Sequence, residues 1–108
     1  MTGSVNEPSK NAPLNSGMFA AVLRRGDVSG IFFGHDHTNT FTGVVGGVTL
    51  GYSGSAGYAH YGLGGEFAEN HALRGGRIIE VRESDPYNFT TRMVFAADYG
   101  MNEVDLNK

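Results

Sequence analysis

Apolar residues recur at helical spacing near the start of the chain. Residues spaced by three and four positions form one face of a helix, and a glycine commonly ends one. Gly26 follows such a segment, and Ser16 precedes it as a possible cap. The spacing therefore predicts one short helix over residues 17–25. Its apolar face comprises Met18, Phe19, Val22 and Leu23.

Short apolar runs, rich in β-branched and aromatic residues, predict the strands that follow. Gly46 and Gly47 separate two of these runs and favour a two-residue hairpin turn, because glycine readily adopts positive φ. The pattern predicts an α+β, β-rich fold with one short helix followed by about five strands. The runs occupy residues 28–33, 41–45, 48–52, 77–82 and 89–95.

Polar stretches divide the chain into regions. Residues 1–15 are polar and predict a flexible lead-in, residues 16–97 predict the folded part, and residues 98–108 predict a tail. Residues 53–75 form a glycine-rich stretch that is longer than most loops of a compact domain. Long loops of this kind often serve a function.

Composition restricts the possible chemistry. The chain has 108 residues, including 17 glycines, and its 8 basic and 11 acidic side chains give a net charge of 8 − 11 = −3. The basic residues are scattered, so we expect no nucleic-acid partner. The apolar runs are too short for a membrane span or a signal peptide, so we expect no membrane partner. Without cysteine, a metal ion must be bound by nitrogen and oxygen ligands.

Possible ligands cluster directly after the first predicted strand. His35 and His37 are separated by one residue, and imidazole is the commonest side-chain ligand for zinc, iron and related ions. Asp36 and Asn39 could orient them. With four histidines, this spacing arises by chance about one time in ten, so a solvated polar turn is the alternative interpretation.

The surrounding residues favour the metal site. The block Gly-His-Asp-His-Thr-Asn at residues 34–39, after an apolar strand, resembles the last motif of the calcineurin-like metallophosphoesterases. The similarity covers residues 15–82 and is closest to the purple-acid-phosphatase-like subgroup. Further matching strings are Asn15-Ser16-Gly17, Gly26-Asp27-Val28, Gly57-Tyr58, Tyr61-Gly62 and Arg77-Ile78.

The resemblance implies a dinuclear centre of iron, manganese or zinc that hydrolyses a phosphate ester. By the family's pattern, His35 would bind one metal and His37 the other, with Asp36 and Asn39 in supporting roles. The family's remaining ligand blocks precede this motif, so we expect the chain to be the C-terminal part of the family's α/β sandwich. We therefore expect it to be inactive alone.

Several residues could line a substrate pocket. Tyr58, His60 and Tyr61 lie in the glycine-rich loop. For His60, stacking on an aromatic neighbour is the favoured interpretation, and for the two tyrosines packing at the edge of a sheet is an equal alternative. Arg74 and Arg77 could bind a phosphate oxygen. For Arg77, a cross-strand pair with a carboxylate is the favoured interpretation.

A non-enzymatic module is the alternative to the hydrolase. In that case the chain is a β-rich binding or oligomerisation domain, and its histidine pair is a relic or binds a single metal. An incomplete sandwich exposes apolar surface that promotes association. We therefore expect either a homo-oligomer or a missing N-terminal half.

Overall fold

A computed structural model of the chain describes residues 1–57 and 72–101. It contains one α-helix, five strands and a 3₁₀ helix. In chain order these are α1 (Met18–Arg25), β1 (Gly30–Phe33), β2 (Thr42–Val45), β3 (Val48–Tyr52), β4 (Gly75–Arg82), β5 (Asp85–Phe95) and the 3₁₀ helix Ala96–Tyr99. The predicted α+β, β-rich fold with one helix and five strands is confirmed.

Helix α1 begins and ends at glycines. Gly26 ends it as predicted, in the left-handed conformation, and donates its N–H to the carbonyl of Val22 at 3.1 Å. The predicted cap at Ser16 is wrong, because Gly17 occupies that position and no side chain caps the helix. The Asn15 side chain instead accepts a hydrogen bond from the N–H of Gly17 at 2.9 Å.

The first sheet has the strand order β1-β3-β2. Strands β1 and β3 are parallel, and Phe33 pairs with Tyr52 at their ends. Strands β2 and β3 form the predicted antiparallel hairpin. Its turn residues Gly46 and Gly47 have φ of 58° and 80°, which a residue with a side chain rarely adopts. Because β1 and β3 are parallel, their C-terminal ends lie side by side at one end of the sheet.

The second sheet is the antiparallel pair β4–β5, with an irregular register between Glu80 and Arg82. Both strands start earlier than predicted. The turn between the two strands occupies residues 83–84, so Asp85 and Pro86 belong to β5. This position is compatible with proline because the strand is at the edge of a sheet.

An aromatic contact joins the two sheets. Phe32 of β1 and Phe89 of β5 pack edge to face, with ring centroids 5.9 Å apart. A Cβ at Gly30 would lie 2.7 Å from the Phe89 ring, so a side chain at this position would displace the ring. The second sheet is thereby held against the strand that leads into the histidine loop.

The described residues bury little apolar surface. Val48, with 4% exposed, is the only apolar side chain that is fully buried in that part of the chain. The other fully buried side chains there are polar or charged and lie around the histidine loop and at the start of β4: Asp36, Thr38, Asn39, Thr40 and Arg74. Among the residues described, no helix has the length and apolar character needed to span a lipid bilayer.

Candidate metal-binding loop

The histidine loop, residues 34–41, connects β1 to β2. It leaves the sheet where β1 ends, beside the end of β3. His35 is exposed and His37 is half-buried, whereas Asp36 between them is completely buried. The loop therefore presents an imidazole outward while its central carboxylate is directed inward.

Asp36 and Asn39 form a buried pair under the loop. The Asn39 amide donates to the Asp36 carboxylate at 3.2 Å, and both side chains have 0% exposed surface. The second Asp36 oxygen accepts the backbone N–H of Lys10 at 3.4 Å. The two predicted supporting residues are thus in contact, and both maintain the shape of the loop.

The arm formed by residues 2–10 lies against this loop. Asn39 accepts the backbone N–H groups of Asn6 at 2.8 Å and Glu7 at 3.0 Å, and donates to the Glu7 carbonyl at 3.0 Å. The Glu7 carboxylate accepts both the N–H of Thr38 at 3.0 Å and its hydroxyl at 2.7 Å. The Asn39 side chain of the loop therefore satisfies main-chain groups of the arm, and the Glu7 side chain of the arm accepts hydrogen bonds from Thr38 of the loop.

Backbone pairing extends the contact towards β2. Thr2 and Thr42 form an antiparallel bridge, and Thr40 donates its N–H to the carbonyl of Ser4 at 3.0 Å. At Gly3 the backbone has φ of +100°, and an added Cβ would lie 2.5 Å from the Thr40 carbonyl oxygen. Only glycine permits so close an approach. The sequence did not predict this contact, and the mobility of residues 1–15 stays a prediction.

Tyr52 extends the polar cluster at the end of β3. Its ring packs on Phe33 and Phe41, with centroids 5.6 and 5.2 Å away. A hydrogen bond with Ser9 lowers the pKa of its phenol, but burial, a hydrogen bond to Asp36 and the negative charges of Asp36 and Glu7 outweigh that effect, so the pKa is raised above its usual value. The neutral phenol is therefore the favoured form beside the buried carboxylate.

Arg77 of β4 binds the other end of the loop. Its guanidinium donates to the carbonyls of Thr40 at 2.7 Å and Tyr52 at 3.2 Å, and to the Thr91 hydroxyl at 3.1 Å. Burial lowers the pKa of the Arg77 guanidinium. The predicted pairing of Arg77 with a carboxylate is wrong, because these three acceptors are neutral oxygens. Because every residue has a carbonyl acceptor, the sequence does not indicate which carbonyl groups Arg77 binds.

The structure assembles only part of the predicted site. The histidine pair and its two supporting residues lie together on one loop. Arg74 is buried at the start of β4, with its backbone bridged to Ser55. The three residues predicted to line a substrate pocket are Tyr58, His60 and Tyr61, and all three lie outside the described residues.

The residues of the histidine loop suit one part of a metal site. His35 and His37 supply two imidazoles, but Asp36 is engaged by the arm and by Asn39, so its carboxylate is poorly placed as a third ligand. Within residues 1–57 and 72–101, no group of three or more histidine, aspartate or glutamate side chains could bind an ion. A structural zinc site normally has four ligands. His35 and His37 would therefore supply two of the four ligands of such a site.

Three curated proteins from Arabidopsis thaliana match the chain. "Probable inactive purple acid phosphatase 14" is 47% identical over 62 residues, which are 57% of this chain and 16% of that protein. "Probable inactive purple acid phosphatase 29" is 44% identical over 63 residues, 58% of this chain and 16% of that protein. "Probable inactive purple acid phosphatase 28" is 41% identical over 49 residues, covering 45% and 12%.

The matched segment is short compared with these relatives, since the chain spans only 12–16% of their length. No family model and no solved structure matches the chain. The resemblance predicted from residues 34–39 is nevertheless confirmed: over about half of its length the chain is similar to purple-acid-phosphatase-like proteins, consistent with the C-terminal part of such a protein.

Proposed function

We propose that this chain is the histidine-bearing part of a metal-dependent phosphoester hydrolase and is inactive alone. His35 and His37 are the proposed metal ligands, and a phosphate ester is the proposed substrate of the complete domain. The supporting observation is the difference in burial between the two histidines and their two neighbours on the loop. Asp36 and Asn39 are fully buried and hydrogen-bonded to each other, whereas His35 is exposed and His37 is half-buried.

The metal would supply the hydrolytic chemistry when bound, by acidifying water and neutralising phosphate charge. The residues of this chain would contribute two imidazoles held on a rigid loop. Iron, manganese and zinc all suit imidazole donors. Because the described residues supply only two such donors, we expect weak metal binding and no hydrolysis. The word "inactive" in the relatives' names agrees with that expectation.

The test is a Zn²⁺ titration of the purified chain by calorimetry, together with hydrolysis of p-nitrophenyl phosphate. The parent should bind Zn²⁺ weakly, and the H35A/H37A double variant should lose that binding. Glu83→Ala changes an exposed residue of the β4–β5 turn and should behave as the parent does.

Equal Zn²⁺ binding by the parent and H35A/H37A would overturn the ligand assignment, as would no binding by the parent. Hydrolysis above the metal-ion blank that disappears in H35A/H37A would overturn the proposed inactivity.

Exposed apolar residues support a second candidate function, a non-enzymatic oligomerisation module. Val44 of β2 is 68% exposed, Val81 of β4 is 59% exposed and Leu23 of α1 is 45% exposed. Burying the exposed part of each side chain would contribute about 0.7–2 kcal/mol to association.

Light scattering after size exclusion tests this candidate. Self-association should increase with concentration and should weaken in Val44→Thr or Val81→Thr, which remove apolar surface at nearly constant shape. A mass of 11.5 kDa at every concentration would contradict it.

A further inference from the structure

Glu7 is the residue of the arm most fully engaged with the histidine loop. It is half-buried, whereas Asn6 and Pro8 beside it are exposed. One carboxylate oxygen accepts two hydrogen bonds from Thr38, at 3.0 Å from the backbone N–H and 2.7 Å from the hydroxyl. Hydrogen bonds to an ionised acceptor are about twice as strong as neutral ones.

The peptide groups of Glu7 make a second connection. Its N–H donates to the Asn39 amide oxygen, and its carbonyl accepts from the Asn39 amide nitrogen, both at 3.0 Å. Asn39 in turn donates to Asp36. One arm residue therefore fixes Thr38 directly, Asn39 directly and Asp36 through Asn39.

These anchored positions alternate with the histidines. Asp36 lies between His35 and His37, and Thr38 follows His37 immediately. Fixing the Thr38 N–H restrains the peptide bond that leaves His37, and the buried, hydrogen-bonded side chain of Asp36 restrains the residue that precedes it. Because a side chain emerges from its backbone in a few discrete rotamers, a fixed backbone limits where the imidazole can lie.

We propose that Glu7 is a positioning residue for the histidine pair. This inference rests on the proposed function, since it assigns Glu7 to the same site. Its hydrogen bonds to the loop are made with Thr38 and Asn39, and it acts on the histidines through these two residues. Residues that orient metal ligands in this way typically change metal affinity 10–100-fold when replaced.

The experiment compares Glu7→Ala, Glu7→Gln and Glu7→Asp with Glu83→Ala in the full chain. Glu83 is an exposed glutamate in the β4–β5 turn and serves as the matched control. Two quantities are measured under conditions in which each variant is folded: the Zn²⁺ dissociation constant and the imidazole ¹⁵N resonances of His35 and His37 without metal. The second measurement does not depend on metal binding.

Glu7→Ala should weaken Zn²⁺ binding about tenfold or more and shift or broaden the His37 resonances. Glu7→Gln keeps an acceptor oxygen for Thr38 and should recover most of the affinity. Glu83→Ala should match the parent. A purely structural role would lower the unfolding midpoint of Glu7→Ala while leaving both measured quantities at parental values, and that result would overturn the proposal.

If Glu7→Ala does not fold, Glu7→Asp decides, because it keeps the charge and withdraws the carboxylate by one methylene from both donors of Thr38. Parental affinity and parental His37 resonances in Glu7→Asp would then overturn the proposal. If the parent binds no Zn²⁺, the assignment of His35 and His37 as metal ligands is overturned, independently of the role of Glu7. In that case the resonances still decide whether Glu7 positions His37, and unchanged resonances would overturn it.

Discussion

The guanidinium of Arg77 donates a 2.7 Å hydrogen bond to the carbonyl oxygen of Thr40, across the gap between the two sheets. Thr40 lies near the end of the histidine loop and is almost fully buried. The same guanidinium reaches the carbonyl of Tyr52, where β3 ends. One cation on β4 therefore binds two chain segments that meet at the candidate site.

Replacing Arg77 with methionine should destabilise the chain by about 3–6 kcal/mol. Methionine keeps much of the side-chain length but leaves two carbonyl groups without their charged donor, and such bonds contribute about 1.5–3 kcal/mol each. Urea unfolding followed by circular dichroism measures the change. Arg82→Met, at an exposed position of the same strand, is the control. Equal losses in both variants would show that the contacts of Arg77 are not responsible.

A neighbouring pair of glycines at the start of β4 offers a sharper comparison. A Cβ at Gly75 would collide with the carbonyl oxygen of Val94 and lie 2.9 Å from the Cα of Phe95, whereas nothing lies within 4 Å of one at Gly76. The colliding atoms are backbone, so the strands must separate. Gly75→Ala should lower the free energy of unfolding by about 1–3 kcal/mol.

Gly76→Ala should be neutral or slightly stabilising, because alanine costs less conformational entropy than glycine in a strand. Thermal unfolding of the two variants beside the parent is the measurement. A loss in Gly76→Ala as large as that in Gly75→Ala would contradict the steric explanation.

The phenol of Tyr52 should make stability fall at high pH. Its pKa in the folded chain is raised, so its contribution is fully present below the unfolded value of about 10 and is lost as pH rises through the folded pKa. Tyr52→Phe cannot ionise and should lose less stability than the parent between about pH 9 and pH 11. Urea unfolding across that pH range measures the loss of stability in each protein. Tyr87→Phe, at an exposed tyrosine, is the control, and parallel curves for parent and Tyr52→Phe would refute the assignment.

Local signals predicted the elements well, and long-range polar contacts escaped prediction for a physical reason. The bounds of β3 are the predicted ones, because Gly46-Gly47 fixes the turn before it. The contact of the arm with the loop depends on hydrogen bonds between short polar side chains and backbone groups, which leave no periodicity in a sequence. The sequence therefore predicted that Glu7 was one of the polar residues of a flexible lead-in and that Arg77 paired with a carboxylate.

The buried pair of Asp36 and Asn39 makes the loop sensitive to a single added charge. Asn39→Asp places a carboxylate beside that of Asp36 and directs an acceptor at the Glu7 carbonyl, where an amide now donates. An uncompensated buried charge of this kind costs about 3–5 kcal/mol, so Asn39→Asp should be strongly destabilised at pH 7.

The loss in Asn39→Asp should also depend on pH. Burial and the like charge raise the pKa of the new carboxyl when folded, so its penalty is absent below the unfolded value of about 3.9 and grows as pH rises above it. Urea unfolding at pH 4 and pH 7 should therefore show a larger deficit at pH 7. Asn11→Asp, at an exposed position of the lead-in, should show little deficit at either pH. Equal deficits for Asn39→Asp at both pH values would mean that lost packing, and not the added charge, destabilises the loop.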